Sequence, residues 1–262
     1  MRRALPGASL RKIPEAIESI WELSLPRSLG STLGSGAYGA HLTFWRQRIL
    51  GQTAMVVPSP PFTPGPRPEM EPLSKEALRR AALDARKTFV ATISDADRAL
   101  LERRLAERLT SLFAGVAVVG GYCPLGSEIS PLPAMEEARA VGAIVAFPCF
   151  PNPGKPFRFL AGDPLEPGPF GIMQPARRHP VVQPDLVLVP LIAIDGNGTR
   201  LGRGKGHYDR ALAGLKKNGA RLIGIGWPLQ RLVETIPADG WDVPLDAFAS
   251  PDGLELFDHR HM

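Results

Sequence analysis

From residue 74 onward the chain predicts an α/β domain: a mostly parallel sheet with helices on both faces, preceded by a largely disordered N-terminal extension. Three observations carry that expectation. Short apolar runs alternate with amphipathic segments of helical period between Ser74 and Gly226. A proline-rich stretch, residues 57–68, separates this region from what comes before it. A glycine- and cation-rich turn, residues 202–206, follows an apolar run and opens a helical segment, the position at which open α/β sheets hold ligands.

The elements follow in order. Ser74 is a helix cap ahead of residues 74–91, where Leu78, Ala82 and Ala85 form a core-facing stripe. Lys75 and Arg79 stand four apart and so share one face of that helix. Residues 94–113 make a second helix with Leu100, Leu101, Leu105 and Leu109 on its apolar side. Residues 116–121 then read as a buried strand, 133–141 as a helix and 143–147 as a strand, with a further short strand at 157–160. Residues 186–190 are a strand, 207–217 a helix and 221–226 a strand.

The first 70 residues are of another kind. Residues 13–25 suit one short amphipathic helix that Pro26 ends, and the prolines of 57–68 permit neither helix nor central strand. Gly34, Gly36 and Gly39 match the spacing of a dinucleotide fingerprint, but no strand precedes them. Arg2 and Arg3 are not followed by the apolar core of a secretory signal. A translation start at Met55 or Met70 accounts for this segment as well as a disordered tail does. The domain boundary is therefore placed at 70, with 71–262 as the folded body.

Charge and cysteine usage narrow the function. The net charge is +5, but residues 1–70 hold eight basic and four acidic residues, leaving 23 and 22 in the rest. The folded body is nearly neutral, which argues against nucleic acid as a partner. No apolar run approaches the ~20 residues of a membrane helix, so no membrane partner is expected. Cys123 and Cys149, the only cysteines, lack metal-site spacing and lie in apolar surroundings. They read as free thiols of a reducing, cytoplasmic compartment.

Chemistry concentrates in residues 190–210. Gly202, Gly204 and Gly206 alternate with Arg203 and Lys205, and His207, Tyr208 and Asp209 follow at the start of a helix. Glycine admits sharp turns and brings N–H groups close to a ligand, and interleaved cations add charge at a helix terminus that already favours anions. The pattern describes a phosphate cradle. It is not a P-loop, since no hydroxyl follows Lys205, nor a dinucleotide fingerprint, since its glycine period is two. Four further groups stand in order around it: Lys75 with Arg79; Tyr122 with Glu128 after the first core strand; the loop from Phe170 to Pro175; and Trp241, Asp242 and Asp246.

Taken together, these segments resemble the 5-formyltetrahydrofolate cyclo-ligase family, also called 5,10-methenyltetrahydrofolate synthetases. The resemblance rests above all on residues 200–209, spans about residue 73 to the C-terminus, and does not reach the first 70 residues. It implies an ATP- and magnesium-dependent enzyme that closes 5-formyltetrahydrofolate to 5,10-methenyltetrahydrofolate through a phosphorylated formyl intermediate, releasing ADP and phosphate. It implies that Arg203 and Lys205 act on the transferring phosphoryl group. ATP would also meet Lys75, Arg79, Gly202, Gly204, Gly206, His207 and Tyr208. Tyr122, Glu128, Phe170 and Tyr208 would receive the reduced folate, with Glu128 on its amino-pyrimidine edge, and Asp209 and Asp242 would hold Mg2+. The family pattern has tyrosine where this chain has His207, and histidine where it has Trp241. A folate-binding homologue without turnover and a sugar-phosphate enzyme on a similar scaffold are the alternative functions.

Overall fold

The computed structural model describes residues 74–150, 156–204 and 206–258 of the 262. The N-terminal extension, Lys205, and the side chains of Phe170 and His207 lie outside the described residues. Helix α1 (Lys75–Thr92) starts at Ser74, whose Oγ accepts from the Ala77 N–H at 3.2 Å. Helix α2 (Asp95–Leu109) starts in the same way, with Ser94 Oγ accepting from the Asp97 N–H. Each cap satisfies an amide that the first turn would leave without a partner. α2 is shorter than the leucine spacing predicts, because a 3-10 turn (Thr110–Leu112) takes over at its end. Leu105 and Leu109 are fully buried, whereas Leu100 is 48% exposed and not part of the apolar side.

Strand β1 (Val118–Gly120) is followed by helix α3 (Leu132–Ala140) and strand β2 (Ile144–Cys149). Strands β3 (Arg158–Ala161), β4 (Glu166–Pro167), β5 (Met173–Gln174) and β6 (Val181–Val182) lead to β7 (Leu186–Pro190). A tight hairpin, β8 (Ala193–Ile194) and β9 (Arg200–Leu201), precedes helix α4 (His207–Lys217). Strands β10 (Arg221–Ile225), β11 (Ala247–Ser250) and β12 (Gly253–Leu256) complete the fold.

Eight strands form the main sheet in the order β12-β11-β10-β7-β1-β2-β3-β6. The five from β11 to β2 run parallel, and β12, β3 and β6 add antiparallel edges. Thus β3 joins the sheet antiparallel. The strand expected at 157–160 is β3, one residue further on, whereas the two-residue strands carry too little periodicity to be legible in sequence. From β1 the chain moves outward to β2 and β3, then returns to the other side of β1 as β7. That reversal opens a crevice at the C-terminal ends of β1 and β7.

Helices α2 and α3 cover one face: Leu105, Leu109, Ala134, Met135 and Ala138 pack on Val119, Leu186, Leu188 and Ile223. Helix α4 covers the other, placing Leu212 and Leu215 against Val187, Val189 and Leu222. The central strands are apolar on both sides because both sides are covered. Leu78 and Ala82 of α1 close a smaller cluster with Ile192, Leu201 and Ile236, which brings the start of α1 to the hairpin and glycine turn.

Candidate active site

A cavity of about 670 Å³ lies at the C-terminal ends of β1, β2 and β7. Eleven of the residues expected to meet ATP, folate or magnesium line it: Lys75, Arg79, Tyr122, Glu128, Gly202, Arg203, Gly204, Gly206, Tyr208, Asp209 and Asp242. They come from helix α1, the loop after β1, the glycine turn, the first turn of α4 and the segment before β11.

The glycine turn is shaped by two different demands. Gly204 (φ +80°) and Gly206 (φ +62°) occupy left-handed backbone that a side chain would strain. Gly202 is bare for another reason: a Cβ there would sit 2.7 Å from a terminal nitrogen of Arg200. Arg79 pins the turn from α1, its Nε donating to the Gly202 carbonyl at 2.8 Å. Gly206 is the N-cap of α4 and offers no side chain to the helix N–H groups, so that positive terminus is left to face the cavity.

Beneath the turn lies Arg200. Its side chain is only 4% exposed and donates to Asp209 Oδ1 at 2.5 Å, and its guanidinium carbon is 5.9 Å from the centre of the Tyr208 ring. Tyr208 in turn meets Phe157 edge-on at 4.9 Å. Burial pushes its hydroxyl well above the usual phenol range, so the residue stays neutral and presents a ring.

At the other rim Lys75 bridges two acids, donating to Asp239 Oδ2 at 2.6 Å and Asp242 Oδ2 at 2.5 Å. Burial pulls the ammonium down, but the two carboxylates outweigh it and leave it above its ordinary value. Asp242 Oδ2 also accepts from the Asp239 N–H at 2.8 Å. Asp209 and Asp242 each keep one carboxylate oxygen without a hydrogen bond among the described residues. Magnesium takes few protein carboxylates and completes its shell with phosphate oxygens and water, so this donor set fits it.

Glu128 sits across the cavity on the loop after β1. Its Oε1 accepts from Arg203 Nη2 at 2.8 Å and Nε at 3.3 Å, and its Oε2 from the Leu125 N–H at 2.9 Å. The Tyr122 hydroxyl is occupied too, donating to the Ile129 carbonyl at 2.7 Å, so Tyr122 offers the cavity its ring and steadies the loop. Two buried groups, Arg86 and Trp227, and the half-buried Arg98 hold this loop from below. Arg86 Nε donates to Ser127 Oγ, Trp227 Nε1 to the Ser127 carbonyl at 2.9 Å, and Arg98 Nη2 to the Glu128 carbonyl at 2.7 Å.

Sequence reasoning missed Arg86, Arg98, Arg200, Trp227 and Asp239. Arg86 did leave a signal, an arginine on the stripe of Leu78 and Ala82 at the same spacing. Gln174 ties the expected loop to the end of β2, its Oε1 accepting from the Phe150 N–H at 3.1 Å. Asp246 belongs to the scaffold, capping the Leu222 N–H at 2.7 Å and pairing with Lys216 at 3.1 Å. Both cysteines are free; burial pushes the half-buried Cys123 thiol, on the cavity wall, up to about 11.

A doubly wound sheet whose topological switch opens on a glycine turn, several cations and four carboxylates defines an α/β enzyme with a cleft suited to a polyanionic ligand together with its cation. The comparisons with known proteins make this specific. The 5-formyltetrahydrofolate cyclo-ligase family matches residues 72–251, and the chain belongs to that family. It is similar to the 5-formyltetrahydrofolate cyclo-ligase of Mycolicibacterium smegmatis, 29% identical over 70% of this chain and 96% of that one. The Haemophilus influenzae cyclo-ligase is 37% identical over 34% of this chain and 49% of its own length. Among solved structures, the 5,10-methenyltetrahydrofolate synthetase of Aquifex aeolicus superposes with a TM-score of 0.59 at 28% identity, covering 71% of this chain and 97% of that one.

Proposed function

We propose that the chain converts 5-formyltetrahydrofolate and ATP to 5,10-methenyltetrahydrofolate, ADP and phosphate. The observation that carries this reading is the gathering of Glu128 with Lys75, Arg79, Arg203, Asp209 and Asp242 around one cavity. A folate-only binder needs the carboxylate but not the phosphate set.

The formyl oxygen on N5 attacks the γ-phosphorus and ADP leaves. N10 then attacks the activated formyl carbon and loses its proton, and phosphate departs with the original formyl oxygen. An amide-like oxygen leaves poorly and its phosphate ester leaves well, so the enzyme's work is positioning and charge neutralisation. Arg203 and Lys205 clamp the transferring phosphoryl group, Arg through paired N–H groups and Lys as a point charge. Lys75, Arg79 and the N–H groups of residues 202–206 take the remaining phosphate oxygens, with His207 and Tyr208 at the start of α4 beside them. Glu128 accepts from the amino-pyrimidine edge of the folate, and Phe170, Tyr122 and Tyr208 supply apolar and aromatic surface. Asp209 and Asp242 would hold magnesium, which when bound with ATP neutralises charge on the phosphates. The two free thiols accord with a cytoplasmic enzyme.

The test is absorbance at the methenyl-folate band after mixing protein, 5-formyltetrahydrofolate, ATP and magnesium. A rise that needs all three additions is expected, and Lys205→Ala should lower its rate roughly 10²–10³-fold while changing folate affinity by less than about threefold. Tight folate binding without a rise in absorbance would replace this reading with that of a non-catalytic binder.

The catalytic domain is placed at residues 71–262, with 1–70 dispensable. A chain beginning at Met70 should keep full turnover and the same melting temperature; loss of either would make the extension part of the enzyme.

A further inference from the structure

Two residues assigned to different substrates are bonded to each other. Glu128, the folate anchor, and Arg203, a phosphoryl clamp, share two hydrogen bonds through Oε1. The environments of the partners are unequal. The Glu128 side chain is 9% exposed and that of Arg203 is 52% exposed. A buried carboxylate gives up a charged partner only when other donors replace it. A half-exposed guanidinium on a long stem, next to the left-handed Gly204, is freer to move.

We propose that Glu128 has a second task, as a positioning residue that holds Arg203 away from the phosphate cradle until folate arrives. This rests on the reading above and adds a coupling between its two ligands. Oε1 is taken by Arg203 and Oε2 accepts from the Leu125 N–H, so both oxygens of the carboxylate have partners. The amino-pyrimidine edge of the folate presents neutral N–H donors to the same carboxylate. As they replace Arg203, the guanidinium is released beside the glycine turn, where Gly202 and Gly204 already line the cavity with Arg79. The clamp is then complete only when the phosphoryl acceptor is bound, which restrains transfer of the γ-phosphate to water. Reciprocity requires that nucleotide tighten folate by the same factor.

Calorimetric titration with a non-hydrolysable ATP analogue and magnesium, with and without 5-formyltetrahydrofolate, tests the proposal. In the natural protein the analogue should bind on the order of tenfold more tightly when folate is present. In Glu128→Gln it should bind without folate about as tightly as the natural protein does with folate, because a neutral amide holds Arg203 weakly. Glu128→Asp, too short to reach Arg203 but still charged, should show the same gain. Arg203→Met should weaken analogue binding only when folate is present.

Unchanged folate-free nucleotide affinity in a folded Glu128→Gln and in Glu128→Asp, with the natural protein still making methenyl product, would overturn the latch alone. A natural protein that binds no nucleotide would overturn the latch together with the proposed function.

Discussion

Arg79→Ala is expected to lower kcat/KM for ATP roughly 10²–10³-fold while leaving folate affinity within about threefold. The side chain has two tasks. Its Nε pins the glycine turn through the Gly202 carbonyl at 2.8 Å, and its guanidinium carbon lies 3.7 Å from where a Cβ would stand on Gly204. Truncation therefore removes a cation from the cradle and also frees the backbone that presents the N–H groups. Arg79→Lys separates the two: it restores the charge but not the planar donor that reaches the carbonyl, and should recover only part of the loss. Steady-state kinetics at saturating folate, with a melting curve showing an intact fold, is the measurement. A loss below about tenfold in Arg79→Ala would place Arg79 outside the phosphate site.

Trp227→Ala should have the largest effect on stability, about 3–5 kcal/mol, or a fall in melting temperature of roughly 6–20 °C. The indole is fully buried, its ring centre is 5.4 Å from that of Phe89 on α1, and its Nε1 donates to the Ser127 carbonyl. Removal empties a core volume and also loosens the loop that carries Glu128. Trp227→Phe keeps most of the volume but loses the hydrogen bond, so its stability loss should be smaller and accompanied by weaker folate binding. Thermal unfolding together with a folate titration distinguishes the two variants. Unchanged folate affinity in Trp227→Phe would show that Arg86 and Arg98 hold the loop without it.

The parts legible in sequence were those with a local cause. Ser74 and Ser94 announce helix starts because a hydroxyl can accept an N–H three residues on. β7 is legible because a strand covered on both faces is apolar throughout. Lys75 and Arg79 share a face through helical spacing alone, and both reach the cavity. The glycine turn announces itself because left-handed backbone at Gly204 and Gly206 favours glycine. The end of α2 and the edge strands β4, β5, β6, β8 and β9 were not legible, since two or three residues set no period and their pairing depends on neighbours distant in the chain.

The sequence by itself determined the fold class through caps and periodicity, the family through the resemblance of residues 200–209, and eleven of the residues that line the cavity, because all of these are short-range properties of the chain. Only the tertiary structure decided which charges meet. Asp239 joining Asp242 on Lys75, Arg200 running beneath Gly202 to Asp209, and Arg203 closing on Glu128 are pairings across 164, 9 and 75 positions. The nine-position pairing was as hidden as the long ones, because a charge carries no mark of its partner until folding brings the two into one low-dielectric place.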